Sequence, residues 1–318
     1  MCDSLSMPRP VPLERARGRI LVMFSGDPQG TPDWVRALET GDDEGWFGPG
    51  SAVWEVHSGI PTVVAGIRAL LMQTLHPGAM AGVHDHSRYR EDPLGRLAGT
   101  VRWVLTTTFA DRAQAEAACA WVTRLHGTVR GTYASADGST VAYSADDADL
   151  IGWVHCVFAD AFIGSHETWG GPVAGGSDQY VREWARAGEL MGMVDPPRSR
   201  AELDAAIASF LPVLRRDERV EEAVRWLRRP PLGRGVGPAY RILFAGAVAS
   251  LPDTYRELLG LRRPRWPAIA LTGLALRWMR MLLGSESSSL HYTRRRLARL
   301  AAARPGGVTS TGTADRVA

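Results

Sequence analysis

The sequence predicts an all-α fold, on three observations. Apolar residues recur at three- and four-residue intervals in segment after segment, as in Val63, Ile67, Leu70, Leu71 and Thr74. Sustained alternation of apolar and polar residues, the mark of half-buried strands, is confined to a short excursion before Tyr143. The periodic segments are also bounded by helix signals, such as Asp111 and Ser199 at starts and Gly170-Gly171-Pro172 and Asp195-Pro196-Pro197 at breaks.

Taken in order, Pro8, Pro10 and Pro12 make residues 1–15 an arm, and Ala16–Phe24 a short helix before a Gly/Asp/Pro-rich loop through Pro49. Ser51–Ser58 leads into a strongly helical segment, Thr62–Leu75, which His76-Pro77 ends because the residue before proline avoids the helical region. His84-Asp85-His86 reads as a polar loop. Two helices follow, Arg96–Phe109 and Arg112–Arg130, with Asp111 capping the second. Thr132–Tyr143 reads as a hairpin around Asp137-Gly138. A helix then starts at Ser144, with Asp146 and Asp147 favouring its dipole.

Gly164–Gly176 lacks the spacing of a phosphate or dinucleotide loop. Beyond it lie helices at Ser177–Met191, Arg200–Phe210, Asp217–Leu227, Leu251–Leu261, Trp266–Leu283 and Tyr292–Ala303, with an apolar run at Tyr240–Ala249. Ile269–Leu276 is apolar but far shorter than a bilayer span and is flanked by Arg263, Arg265, Arg277 and Arg280. A peripheral membrane contact or a bundle helix with a solvated arginine face both suit it. The resulting plan is an N-terminal arm and short helix over 1–45, one helical domain over 46–303, and a low-complexity tail over 304–318.

At 318 residues the chain can bury a substantial core, and 45% hydrophobic with 22% charged residues is ordinary for a globular protein. A net charge of +3, without a basic-aromatic motif, gives no support to nucleic-acid binding. Every basic residue other than histidine is arginine, so no lysine serves as a base, a Schiff-base former or an iron ligand. Cys2, Cys119 and Cys156 share no metal-like spacing, and the last two fall in helical patterns as small core residues. The N-terminus carries no apolar run long enough for a signal peptide, so a cytoplasmic location is expected.

Polar residues on two helices point to a cofactor. Arg96, Thr100, Trp103 and Thr107 form one stripe of the first, beside an apolar face of Leu97, Val101, Val104 and Leu105. Ala115, Cys119, Val122, His126 and Val129 form a stripe of the second, with Arg130 one turn beyond His126 and Gly127 leaving room near the imidazole. An imidazole in an apolar wall near arginines suits a haem, with nitrogen for the iron and guanidinium for the propionates. On the residues alone, a lone histidine on such a stripe is more often a hydrogen-bonded core residue. On the later helix Ile151, His155, Phe158 and Phe162 share a face, making His155 a second internal histidine, either a ligand or a group that orients one.

The run ALLMQTLHPGAMAGVHDHSRYREDPLGRLAGTVRWVLTTTFAD, then TRLHGTVRG and DADLIGWVHCVFADAF, resembles the MpaB/latex-clearing-protein (rubber oxygenase) family. The likeness runs from Trp46 to about Gly192 and rests on Arg96-x-x-x-Thr100, Arg124–His126 and Trp153–His155. The resemblance implies a globin-reminiscent helical bundle holding haem b, with C-terminal helices packed on it. It implies His126 as the iron ligand and Arg96 and Thr100 as the haem-pocket pair. In that family a lysine beside the threonine can close the other axial position. Gly99 stands there in this chain, which implies an open iron.

The expected function is therefore a haem-dependent oxygenase using O2 on a lipophilic, isoprenoid or other alkene-bearing, small molecule held by the apolar helix faces. Two other classes remain beside it. A non-catalytic haem-binding sensor or carrier would use His126 and His155 as two axial ligands. A non-haem metal enzyme would use His76, His84, Asp85 and His86.

Overall fold

The computed structural model describes residues 11–87, 90–231, 236–284 and 286–303. Most of the expected N-terminal arm and the whole tail at 304–318 lie outside the described residues. The chain opens with α1 (Val11–Ser25), α2 (Asp33–Arg36), a 3-10 turn at Ala37–Glu39, α3 (Ala52–Ser58), α4 (Thr62–Gln73), α5 (Pro77–His86), α6 (Pro93–Phe109) and α7 (Arg112–His126). A two-stranded hairpin, β1 (Arg130–Ala134) and β2 (Thr140–Ser144), separates these from α8 (Ala148–Trp169), α9 (Gly176–Leu190), α10 (Arg200–Ser209), α11 (Glu218–Arg228), α12 (Gly237–Ser250), α13 (Asp253–Leu258), α14 (Ala268–Leu283) and α15 (Ser288–Ala303). The fold is all-α, with the hairpin as its only sheet among the described residues.

Among the elements that differ from the sequence reading, four have a clear local reason. α1 begins at Val11 rather than Ala16, because a proline in a first turn gives up no helical hydrogen bond. His84-Asp85-His86 is not a loop but the last turn of α5, which His76 caps by accepting from the Ala79 amide (3.5 Å) with Pro77 at the first helical position. α7 stops at His126, four residues early. There Gly127 and Thr128 turn the chain, and Arg130 enters β1 opposite Ser144, where cross-strand pairing supplies its backbone partner. α8 starts at Ala148 rather than Ser144, since Ser144 is the last residue of β2 and its amide donates to Asp147 Oδ2 (2.8 Å).

The core is built on α4 and α8, which pack along their length. Leu71, Met72, Val64 and Ala65 of α4 and Trp153, Val157, Ala161 and Ile163 of α8 are all buried in one cluster that extends through α9, α11 and α12. α8 is long and apolar enough to cross a membrane by length and composition, and most of it is buried inside the fold. One ion cluster crosses this interface. Asp160 of α8 accepts from Arg68 of α4 (2.6 Å) and from Arg200 of α10 (2.8 Å), with Arg68 and Asp160 both buried. Gly164 leaves the guanidinium its place, for a Cβ there would lie 2.6 Å from Arg68 Nη1. At the other end of the chain α15 clasps the bundle. Its fully buried Arg296 donates to the carbonyls of Leu38 (2.8 Å) and Phe109 (2.7 Å), and Thr293 also donates to Phe109 (3.1 Å).

Candidate functional site

α6 and α7 form a helical hairpin, because only Ala110 and Asp111 connect them and Asp111 Oδ1 caps α7 by accepting from Gln114 N (2.9 Å). Near the closed end Thr107 Oγ1 meets Cys119 Sγ at 3.7 Å. Counting seven residues back from Thr107 reaches Thr100, and seven forward from Cys119 reaches His126. Each step is two helical turns, about 10.5 Å along the axis, and returns nearly to the same face. Thr100 and His126 therefore stand at equal distance from the closed end, on the stripes that met at Thr107 and Cys119.

Burial falls along both arms. Thr107, Thr108, Phe109, Ala110, Ala115 and Cys119 are buried, whereas Gly99, Thr100, Trp121 and Leu125 are exposed and Arg96 and His126 are half-buried. The hairpin is thus most buried at its closed end, and Thr100 and His126 lie two turns from it, toward the more exposed end. Among the described residues, nothing lies within 4 Å of where a Cβ at Gly99 would be.

His126 Nδ1 is buried without a hydrogen-bond partner among the described residues. Burial lowers the pKa of this ring, with Asp146 opposing the shift, so the imidazole is neutral near pH 7. Arg130 is exposed and lies 3.8 Å from Asp146, while its Nε donates to Gly127 O (3.2 Å). Although the helix ends before Arg130, Asp146 keeps it beside His126. Thr100 Oγ1 donates to Arg96 O within its own helix (3.3 Å).

His155 is the second internal histidine. It is buried on α8, parallel to Trp184 of α9 (5° between planes), with its edge so close to Gly188 that a Cβ there would sit 3.0 Å away. Burial holds its pKa down at about 4, so it too is neutral. No described contact joins it to His126.

Sequence reasoning missed the group that His155 borders. His57 of α3 is buried, with Nδ1 2.7 Å from Thr108 Oγ1 and Nε2 3.0 Å from the Tyr180 hydroxyl. Thr108 spends its own proton on Val104 O (2.8 Å), so it accepts from His57 Nδ1–H, and Nε2 accepts from Tyr180. Burial, aided by His166, lowers the pKa of His57 to about 3. Around it pack Phe162 (5.0 Å), Trp184 (4.5 Å) and Phe158 (6.0 Å), and Trp103 of α6 closes on Trp184 (6.2 Å). The indole nitrogens of Trp103 and Trp184 are buried without partners among the described residues. The available signal was the spacing Val53, Val56, His57, which puts the histidine on the apolar face of α3.

The histidines of α5 do not converge on one centre. His76 caps the helix, His84 pairs with Asp85 (2.9 Å) and Glu222 (3.4 Å), and His86 Nε2 meets Arg130 O (2.9 Å). No cluster of three or more metal-ligating side chains occurs among the described residues.

Residues 54–285 match the family described as ER-bound oxygenase mpaB/B'/Rubber oxygenase, catalytic domain, which takes in all the residues discussed above from His57 to Arg200. No curated protein and no solved structure shows significant similarity to the chain.

Proposed function

We infer the function from one premise: the chain belongs to the MpaB/rubber oxygenase catalytic-domain family, so it is oxygenase-like and takes O2 and a substrate as partners. We propose that it is a haem b-dependent oxygenase acting on a lipophilic small molecule. The observation that carries this reading is the unpartnered, neutral imidazole of His126, set level with Thr100 at the open end of the α6–α7 hairpin. A neutral ring with a free nitrogen is what a metal ligand requires.

His126 would hold the iron, and Arg130 would offer its guanidinium to a propionate in place of Asp146. From α6, Arg96 would provide a donor, Thr100 would do so on releasing Arg96 O, and Gly99 adds no side chain beside them. Haem, when bound, supplies the one-electron and oxygen chemistry that no side chain of this protein can. The exposed Trp121 and Leu125, on the outer side of α7, add apolar surface beside this end of the hairpin. His155, parallel to Trp184 and edge-on to Gly188 of the same helix, would act as a positioning residue rather than a ligand.

The test is an absorption spectrum of the purified protein, oxidised, reduced and with CO. The parent should show a Soret band, His126→Ala should lose haem or shift the band, and His155→Ala should keep most of it. Full haem and an unchanged spectrum in His126→Ala would overturn the ligand assignment. Equal loss in both variants would transfer the protein to the non-catalytic, two-histidine class.

A further inference from the structure

α14 leaves one of its sides uncovered. Its inner side, Ala268, Thr272, Leu276, Met279 and Leu282, is buried, and Thr272 donates to Ile242 O (3.0 Å) on α12. Its outer side presents Leu271, Leu274, Trp278 and Met281, which recur at three- and four-residue intervals and so form one stripe. Met281 is 79% exposed, Leu274 54% and Trp278 51%, and Trp266 just before the helix is exposed as well. An apolar stripe of this kind on a folded surface marks a contact site.

The charge around the stripe says what covers it. Between Glu257 and Glu286 the chain carries five arginines, Arg262, Arg263, Arg265, Arg277 and Arg280, and no acidic residue. Arg263 reaches Asp253 (3.2 Å), while the other four make no ion pair among the described residues. On the helix, Arg277 and Arg280 border the stripe on one side. Neighbouring elements do not neutralise them: α1, which packs on α14, carries Arg15, Arg17 and Arg19 and one acid, Glu14, and α12 brings an exposed Arg241 and no acid. Exposed tryptophans, an apolar stripe and unpaired arginines together match a helix that lies in the plane of a membrane interface. At sixteen residues, half covered by α12, α14 cannot span a bilayer.

We propose that the outer face of α14 docks on an anionic phospholipid surface, with Leu271, Leu274, Trp278 and Met281 entering the acyl boundary and Arg277 and Arg280 on lipid phosphates. This rests on α14 alone and is independent of the haem assignment. The full-length protein is sedimented with vesicles of phosphatidylcholine alone, and with vesicles of phosphatidylcholine and phosphatidylglycerol in equal parts. The parent should bind the anionic vesicles, weakly or not at all the neutral ones, and release as salt is raised. Arg277→Gln with Arg280→Gln should weaken anionic binding about tenfold or more, given roughly 1 kcal/mol for each arginine near such a surface. Leu274→Ser with Trp278→Ser should abolish it, with the helical circular dichroism unchanged because both side chains are exposed. No binding by the parent, or binding that survives both pairs of changes, overturns the proposal. Self-association that depends on the stripe, without vesicle binding, gives the face to a second copy of the chain and overturns it too.

Discussion

Asp160→Asn tests the account of how α4 and α8 are joined, since it keeps the side chain's shape and removes its charge. Asp160 now accepts from Arg68 at 2.6 Å on one oxygen and from Arg200 at 2.8 Å on the other. The two arginines are unequally placed. Arg200 has a side chain 31% exposed and a second acid, Asp204, at 3.0 Å, so it can turn to water. Arg68, 5% exposed, has no such exit. Breaking a buried pair and stranding one charge costs about 3–5 kcal/mol. Unfolding entropy of about 2.1 cal/mol/K per residue gives roughly 0.67 kcal/mol/K for the whole chain, so Tm should fall by about 4–8 °C. Thermal melts followed by circular dichroism read this directly. A drop of less than about 1 °C would refute the claim that Arg68 is held by Asp160. The double variant Arg68→Met with Asp160→Leu removes both charges and should recover most of the loss, because well-packed apolar pairs replace buried ion pairs at little cost.

Two further outcomes follow from buried groups. His57, His76 and His155 have pKa values lowered to about 3, 4 and 4, chiefly by burial, so each stays neutral in the folded chain while its unfolded counterpart takes up a proton below about pH 6.5. Their contribution is complete above pH 6.5 and is lost as pH falls toward 4. Denaturant-derived stability should drop by up to about 4 kcal/mol per pH unit between pH 6 and 4.5, and His155→Phe should reduce that slope by about a third. An unchanged slope in His155→Phe would show that His155 is not held neutral. Thr108→Val leaves His57 Nδ1–H without its acceptor and should cost about 1–3 kcal/mol, measured by urea midpoint. A neutral outcome would mean that the ring has taken the other tautomer.

The helical plan was legible because its signals are local. Asp111, Ser199 and Asp217 all cap the helices that follow them, accepting from Gln114, Glu202 and Val220 amides. The misplaced ends came where a neighbour in space, not in sequence, decides. Arg130 has helical spacing from His126, yet β2 supplies a pairing that outweighs one more turn. His84 and His86 read as loop because their chemistry is polar, although the turn of Pro77 to Ala81 beneath them is apolar and buried apart from Ala79. The ion cluster was hidden for the same reason, since an arginine on one helix gives no address for its partner. A signal existed even so: Asp160 is the only carboxylate or guanidinium between Leu150 and Ser165, and an acid alone in such a run needs a buried cation.

The candidate site divides along the same line. Thr100 and His126 are opposed because seven residues separate each from the contact of Thr107 with Cys119, and that symmetry about Ala110-Asp111 can be counted in the sequence once the two helices are known to form a hairpin. What counting cannot supply is how the arms behave beyond the contact. Ala115 and Cys119 are small and let α6 approach at the closed end. Toward the open end the stripe of α7 ends in an imidazole and that of α6 in Thr100 and a half-buried Arg96, none of which pairs off apolar surface. A helix pair closed by its own sequence would carry leucine or valine at those levels. The residues at those levels are instead the ones the proposed haem site calls on, the unpartnered imidazole nitrogen of His126 and the Arg96–Thr100 pair of α6.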